Sequence, residues 1–565
     1  MQDKNGFFIQ FLRLAGPFWN SENKVVIRNQ TLALIALTVL QMALAVIITE
    51  WSAALFNALE QHSMSGLLTQ IGYLILIFVV SMAVTAMHMK VKRHLQIGWR
   101  SWLTERVIGK WMNKGRHYLV LHIQTVEHDN PDGRIAEDIR IATDEAISLC
   151  HSLFYSLLLL ISFTKILWDL SGVFILDLGV FNFPVYGYLV WVAIIYSALA
   201  SILGWWASRP LTLTTNAMQT AEANFRFGLV RARENSQAIA LIHGETNEKK
   251  RFLDLFQNIT TLYDRQTQAW ANILLFNSGY GVLSMAFPIL IAAPRYILGS
   301  LTLGALMQAV QAFQQMSAAL SWPVNNMAPI AQWRASVERV LGLVKALEDL
   351  ELEIARPDPQ RILLEKPDKS TLSFHDLCLS QLDGKVMICG LNAEIRPGER
   401  VLISGDVFTG ARLFKAIAGL WPWGRGSIEL PDGESLFFMP PRPYLPDGTL
   451  HAAICYPSPT EAFSPALIND LLKLVGLEEL LGQLDQTDDA WDKVLMREQQ
   501  QRLGLVRLLL YRPKWILLQE AFDSLDPEGE VLMLRIICQQ LPDAALLSIT
   551  NQPSAIAFHH RKIIL

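Results

Sequence analysis

The residues Gly405-Asp-Val-Phe-Thr-Gly410 follow directly on the apolar run Val401-Leu402-Ile403, in the frame of a nucleotide phosphate loop. Such a loop reads Gly-x4-Gly-Lys-Ser/Thr. Its backbone N–H groups cradle phosphates, its Lys reaches the β and γ oxygens, and its hydroxyl holds Mg²⁺. Here Ala411 takes the Lys position and Arg412 the hydroxyl position. Further on, Arg502-Leu-Gly-Leu-Val-Arg507 precedes Pro513-Lys-Trp-Ile-Leu-Leu-Gln-Glu520 and Ser524-Leu-Asp526. Glu520 could be called a catalytic base, but without Mg²⁺ and a phosphate loop it reads as an inactive remnant, a leftover carboxylate that must be solvated or paired. The glycines of a phosphate site are present without the lysine or the metal ligand.

The elements that must carry these residues divide the chain in two. At 51% apolar and 18% charged residues, the composition of the 565 residues excludes an ordinary soluble protein. The apolar excess lies before residue 345, in six tracts: Thr31–Thr49, Gln61–Met89, Ala146–Thr164, Leu178–Ser208, Gln266–Pro294 and Tyr296–Trp333. Each holds the roughly 20 residues that cross a bilayer core, so six spans are expected. The loops at 50–60 and 172–185 contain acids but no Lys or Arg. Lys90, Lys92, Arg93, Arg100, Arg209, Arg226, Arg231 and Arg233 flank the opposite ends. The positive-inside rule then places both termini in the cytosol, with no cleavable signal peptide. Phe7–Trp19 reads as an interfacial amphipathic helix.

Long polar stretches, Lys90–Glu145 and Arg209–Arg265, are expected to continue the spans as cytosolic helices whose turns dock on the soluble domain. The charged, proline-containing segment 348–369 reads as a linker between a membrane domain (1–347) and an α/β domain (370–565). In the latter, Leu372–Phe374, Val401–Ile403, Trp515–Leu518 and Leu546–Ile549 are expected strands, and Leu413–Leu420 the helix after the phosphate loop. Cys150, Cys378, Cys389, Cys455 and Cys538 show no metal-ligand spacing and are expected to be reduced packing residues. No metal site is expected. A net charge of −4 gives no reason to expect a nucleic-acid partner.

Inside the membrane half, Gln308, Gln311 and Gln315 recur along one helical face, with Gln314 beside them. Such a stripe lines a wet pathway or bonds neighbouring helices. Lys165 and Asp169, at i, i+4, can neutralise each other. Glu50 and Glu60 stand near the outer end of the first span and could load protons or cations or be solvated at the interface.

The whole chain resembles ABC subfamily D-like transporters, a group that includes SbmA/BacA-like and YddA-like bacterial proteins. The resemblance is carried by Asn130-Pro-Asp-Gly-Arg-Ile-Ala-Glu-Asp138, Ala416-Ile-Ala-Gly-Leu-Trp-Pro-Trp-Gly424 and Arg442-Pro-Tyr-Leu-Pro-Asp-Gly-Thr-Leu450. Also matching are Leu503–Tyr511 with Arg512-Pro-Lys-Trp515, Glu234 with Ala238–Leu241 and Gly244-Glu245, and Tyr296–Met307. It implies a membrane all-α domain of the type IV exporter-like kind, fused to an α/β ABC nucleotide-binding domain. It also implies a half-transporter in the bacterial cytoplasmic (inner) membrane, working as a homodimer or heterodimer on a peptide-like, cobalamin-like or acyl-type solute.

Matched to that family, the ATP-site positions are Gly405, Gly410, Ala411, Arg412, Gln381, Pro441, Gln519 and Asn551. Gln381 stands for the base-stacking aromatic, Pro441 for the γ-phosphate-sensing Gln, Gln519 for the metal-holding Asp and Asn551 for the switch His. The signature stretch gives Met496, Arg497, Glu498 and Gln499, with Met496 and Glu498 in place of Ser and Gly. Glu520 and the D-loop Asp526 remain. Judged from the Ala416–Gly424 landmark, the helix after the loop starts one residue early. ATP and Mg²⁺ are therefore cofactors by resemblance only, with binding expected weak or absent and hydrolysis lost. Arg412 is expected to turn towards Glu520 and fill the vacated metal position. Two alternatives stay open: the inactive partner of a heterodimeric transporter, or a non-transporting regulatory or scaffold subunit.

Overall fold

A computed structural model describes residues 6–123, 130–177, 182–355, 361–433, 435–488, 491–550 and 552–565. Two compact units divide the chain: Met1–Lys110 with Asn130–Lys345, and Trp111–Asp129 with Ala346–Leu565.

The helices before residue 356 are α1 (Phe7–Ala15), α2 (Lys24–Glu60), α3 (Met64–Met112), α4 (Arg116–Ile123), the single turn α5 (Pro131–Gly133) and α6 (Ile139–Ser171). They continue with α7 (Tyr188–Glu234), α8 (Ser236–Leu241), α9 (Glu245–Ile297), α10 (Leu303–Leu320), α11 (Trp322–Asn325) and α12 (Met327–Ala355). Among the described residues, α2, α3, α6, α7 and α9 are long and apolar enough to cross a membrane. Ile75, Phe78, Ile195, Trp206, Leu275 and Leu290 on these helices face outward. A continuous apolar exterior of this kind is stable only in lipid.

Two of the expected spans differ in detail. A hairpin of β1 (Val173–Asp177) and β2 (Asn182–Tyr186) precedes α7, so the fourth span starts at Tyr188 rather than Leu178. Residues 178–181 lie outside the described residues. The tract Tyr296–Trp333 is not one helix. A turn with Gly299 at φ 71° ends α9, and the Thr302 hydroxyl caps α10 by accepting the Ala305 N–H. At 18 residues α10 is about 27 Å long, and its four glutamines keep it out of the five apolar spans. Average hydropathy hid the break because Gly, Ser and Thr in the turn are nearly neutral.

α10 nevertheless lies at the centre of the first unit, packed on α2, α6, α7 and α9. Small residues make this possible: Gly304, Ala309, Ala312 and Ala319 are on its buried side. Its free N–H groups are capped from α2, Leu303 donating to Glu60 Oε2 (3.0 Å) and Gly304 to Asn57 Oδ1 (3.0 Å). Glu60 thus has a structural partner. A Cβ on Gly304 would collide with the Ala53 carbonyl and Asn57. The carbonyl belongs to a helix backbone and cannot swing away. Gly304→Val is expected to cost about 2–3 kcal/mol through overpacking, seen as a lower melting temperature of the detergent-solubilised protein. An unchanged melting curve would mean that α2 and α10 do not pack this closely.

The second unit holds a five-stranded parallel sheet in the order β13-β6-β12-β11-β8 and a four-stranded sheet in the order β3-β7-β4-β5. The strands are β3 (Leu363–Glu365), β4 (Leu372–Ser380), β5 (Val386–Ile395), β6 (Arg400–Ser404), β7 (Gly424–Glu429), β8 (Leu436–Met439), β9 (Gly448–Thr449), β10 (Thr487–Asp488), β11 (Trp515–Gln519), β12 (Ala545–Ile549) and β13 (Arg561–Ile564). Parallel strands covered on both faces need continuous apolar runs. β11 and β12 supply them, with Trp515, Ile516, Leu517, Ala545 and Leu547 wholly buried. The helices are α13 (Val407–Ile417), α14 (Leu450–Cys455), α15 (Pro465–Leu474), α16 (Trp491–Val494), α17 (Arg497–Tyr511) and α18 (Pro527–Gln540).

The segment read as a linker is partly structured, since α12 runs to Ala355 and β3 pairs with β7. The end of α3 and α4 belong to the unit of the α/β domain. There Arg116 pairs with Glu351 at 3.0 Å, and a Cβ on Gly115 would strike Leu420. Cys378 and Cys389 correct the reading of five reduced thiols. They are disulfide-bonded across β4 and β5, whose bulged register sets the two residues side by side. Cys150, Cys455 and Cys538 are free.

Candidate functional site

β6 ends at Ser404, and Gly405 follows at φ 151° with Leu565 3.1 Å from where its Cβ would be, so a side chain there would be strained and crowded. Only Asp406 then separates it from α13. The helix starts at Val407, so Val407–Gly410 form its first turn rather than a loop. The cause is local. Asp406 is the N-cap, its Oδ2 accepting the Thr409 N–H at 3.0 Å and the Thr409 hydroxyl at 2.9 Å. These bonds, the Thr409 hydroxyl foremost, with Phe408 N–H and Arg412 in support, hold the Asp406 carboxyl below the usual carboxylate range. A helix N-terminus attracts anions. Here the anion is the protein's own carboxylate.

Gly410 is helical and lies against the Ile549 side chain of β12. Ala411 and Arg412 are half-buried on the next turn. The Arg412 guanidinium stacks over Trp421, 5.1 Å from the ring centroid, and donates to Met387 Sδ at 2.7 Å. No ion pair joins it to Glu520 among the described residues, which corrects the expected Arg412–Glu520 contact. An aromatic face and a soft sulfur accept a weakly hydrated guanidinium without a carboxylate. Lys415 does not replace the missing lysine. Its Nζ lies 5.4 Å from the Tyr118 ring centroid.

Gln381 sits in the tight turn between β4 and β5, bonded through its backbone to Lys385 and Gly384. Gln519 closes β11, and Glu520 follows at φ 43°, a left-handed conformation that is strained for a non-glycine residue. Its N–H donates to Ile549 O at 2.8 Å. Asp526 caps α18 by accepting the Gly529 N–H at 2.9 Å. Asn551 lies outside the described residues.

The signature positions are engaged locally. Met496 is 74% exposed at the start of α17, and its N–H donates to Gln499 Oε1 at 2.8 Å. Arg497 pairs with Asp523 at 3.5 Å, and Gln499 donates to Glu479 at 2.5 Å. Glu498 is neutralised by Arg502, one turn on, at 2.5 Å. One residue escaped the sequence reading. Gln501, wholly buried, donates to Asp523 Oδ1 and to Pro441 O (3.0 Å) and accepts the Ser524 N–H (3.1 Å). It ties the segment before α18 to Pro441. Its place in the Gln499-Gln500-Gln501 run was the available signal.

In the membrane unit, Gln311 donates to Ser52 Oγ of α2 at 2.8 Å, so this member of the stripe bonds a neighbouring helix. Gln308 and Gln315 are half-buried, and neither makes a protein hydrogen bond among the described residues. Lys165 and Asp169 are exposed and form no ion pair with each other, contrary to the expected neutralisation.

A helical membrane region joined to an α/β domain with a strand–turn–helix in a phosphate-loop frame defines a class, the integral-membrane half-transporters. Residues 17–296 match the family described as ABC transporter transmembrane region 2. An uncharacterized ABC transporter ATP-binding protein of Synechocystis is 30% identical over 496 residues, covering 86% of this chain and 72% of its own. The chain belongs to the ABC transporter family. The inner membrane ABC transporter ATP-binding protein YddA of Escherichia coli is 27% identical over 555 residues, 96% of this chain and 95% of that protein. The human lysosomal cobalamin transporter ABCD4 is 24% identical over 601 residues, 98% and 93% of the two chains.

Proposed function

We propose that this chain is a half-transporter with a degenerate cassette, which moves a peptide-like, cobalamin-like or acyl-type solute along an ion gradient rather than by ATP hydrolysis. The observation that carries this reading is the Asp406 cap on α13. The residues present do not fit Mg²⁺–ATP. A carboxylate stands where phosphate would sit, no lysine follows Gly410, and Gln519 offers an amide where a metal-holding carboxylate is needed. The cassette then serves as a docking and dimerisation module.

Several finer points belong to the same reading. α10 completes the membrane domain as a sixth span, with Gln308 and Gln315 towards a wet pathway. Domain bounds of 1–347 and 370–565 follow, with both termini in the cytosol of a bacterial inner membrane. Two copies, or this chain and a second half-transporter, build the pathway. Working without ATP allies it with SbmA/BacA-like relatives.

Reconstitution in liposomes tests the reading with a labelled peptide, cobalamin and an acyl-CoA as probes. Uptake of one probe is expected to follow an imposed pH gradient, to collapse with a protonophore and to ignore ATP. Uptake that requires ATP and survives the protonophore would reject it.

A further inference from the structure

We infer that His88 and His151 form a single proton-binding site in the membrane unit, at a polar seam between α3 and α6. Its role in coupling transport to a gradient rests on the function proposed above; the site itself rests on the seam.

The seam follows from helical spacing. Gln96 of α3 donates to Asp144 O at 2.9 Å and to Ser148 Oγ at 3.1 Å, both on α6. Two turns back along α3 is His88; one turn forward along α6 from Ser148 is His151. The two helices run antiparallel here, so the imidazoles meet, with ring centroids 4.4 Å apart and planes tilted by 47°. The Tyr155 ring is stacked with His151, 6.4 Å away and 6° from parallel. His88 is only 7% exposed, and the Nε2 atoms of both rings are buried without a hydrogen-bond partner.

A buried polar atom left unbonded costs about 1–3 kcal/mol. Two such atoms of the same kind, on adjacent rings, are not explained by packing, because an apolar pair of the same shape would avoid the cost. What unbonded imidazole nitrogens can do is take up a proton. Once one ring holds a proton, a second binds only against strong repulsion, since two imidazolium ions would lie side by side away from water. A metal ion fits less well. No group of three His, Cys, Asp or Glu side chains that could hold a metal exists among the described residues.

The charges around the pair give the proton a consequence. Lys92, one turn from His88 on α3, acts on both rings. Lys92 in turn feels Arg93 beside it and Glu145 and Asp144 across the seam on α6. Tyr155 also packs on His151, and among the described residues no carboxylate acts on either ring directly. A proton on the pair therefore repels the Lys92 ammonium towards Glu145 and Asp144. Its removal relaxes that push. The seam converts protonation into a charge displacement along the α3–α6 contact.

The test uses the full chain with ¹⁵N-labelled histidines in lipid nanodiscs, titrated from pH 8 to pH 5 and below. Two of the 12 histidines are expected to titrate as a coupled pair, in two steps separated by more than about one pH unit. His88→Gln is expected to reduce His151 to one step and move its midpoint by about one pH unit. His151→Gln gives the mirror result and completes the assignment. Independent one-step titration of both residues in the unmodified chain would overturn the proposal, whether or not either variant folds. That failure would leave the reading of the cassette untouched, because nucleotide hydrolysis tests the cassette separately. Conversely, ATP-driven uptake with a coupled pair would remove the gradient role and keep the site.

Discussion

Purified, reconstituted protein supplied with Mg²⁺–ATP is expected to release no phosphate above background, and Glu520→Gln is expected to change nothing. In a working phosphoryl-transfer site almost all of the acceleration is electrostatic. Removal of one well-placed donor lowers turnover by about 10²–10³-fold. From a typical turnover of about 10 s⁻¹, a single loss would leave a rate that is slow but measurable. Here the lysine, the hydroxyl and the Gln519 carboxylate are missing together, and α13 begins on an Asp406 carboxylate that repels phosphate. Groups that act as one unit do not fail additively, so the outcome is set by the loss of the whole metal-and-phosphate site rather than by a product of single effects. A dimer does not rescue this. A partner could lend its signature segment, but the metal ligands must come from the same chain as the phosphate loop. Phosphate release from the chain alone, abolished by Glu520→Gln, would refute the proposed function.

How much of this was legible in advance depended on the range of each interaction. β6, β11 and β12 were read correctly because a buried parallel strand announces itself as a short apolar run, such as Val401–Ile403 or Trp515–Leu518. The start of α13 was not, although Asp406 and Thr409 have N-cap spacing. Flanking glycines made the stretch look like a loop, and the capping signal was outweighed. The helix also ends earlier than expected, at Ile417, where Gly419 at φ 75° turns the chain. Arg412 was misplaced for a different reason. Charge complementarity pointed to Glu520, whereas Trp421 became available only once α13 and the turn after it were folded. The Cys378–Cys389 bridge depends on a bulged register that no spacing rule predicts. His88 and His151 lie on helices separated by the long polar stretch Lys90–Glu145, so nothing local could have joined them.

Arg507→Ala is expected to destabilise the α/β domain by about 3 kcal/mol, among the larger effects of single substitutions. The guanidinium is 6% exposed within α17 and donates through Nε (3.0 Å) and Nη2 to Ala453 O, and through Nη1 to Tyr444 O at 2.6 Å. It also covers the Tyr456 ring, 5.7 Å from its centroid. Burial pulls its pKa down to about 10, so it stays charged at neutral pH and depends on those two carbonyls. Truncation removes the cost of desolvating a charge on folding, which recovers part of the loss. It also strands the buried Ala453 acceptor, at about 1–3 kcal/mol, loses the bond to Tyr444 O, and opens a cavity beside α14. The stranded acceptor and the cavity outweigh the recovered solvation, because Ala453 is wholly buried within α14. Hydrogen exchange on the full chain measures this. Peptides covering 444–456 and 497–511 are expected to exchange about a hundredfold faster in Arg507→Ala, and Arg507→Lys, with one point charge for two carbonyls, falls between. This would separate the two halves of the signature helix. Its first turn carries the exposed Met496 and the Arg502-paired Glu498, while its interior, through Arg507 and Gln501, holds the fold together. Exchange altered by less than about tenfold in Arg507→Ala would show that the helix interior does not have this structural role.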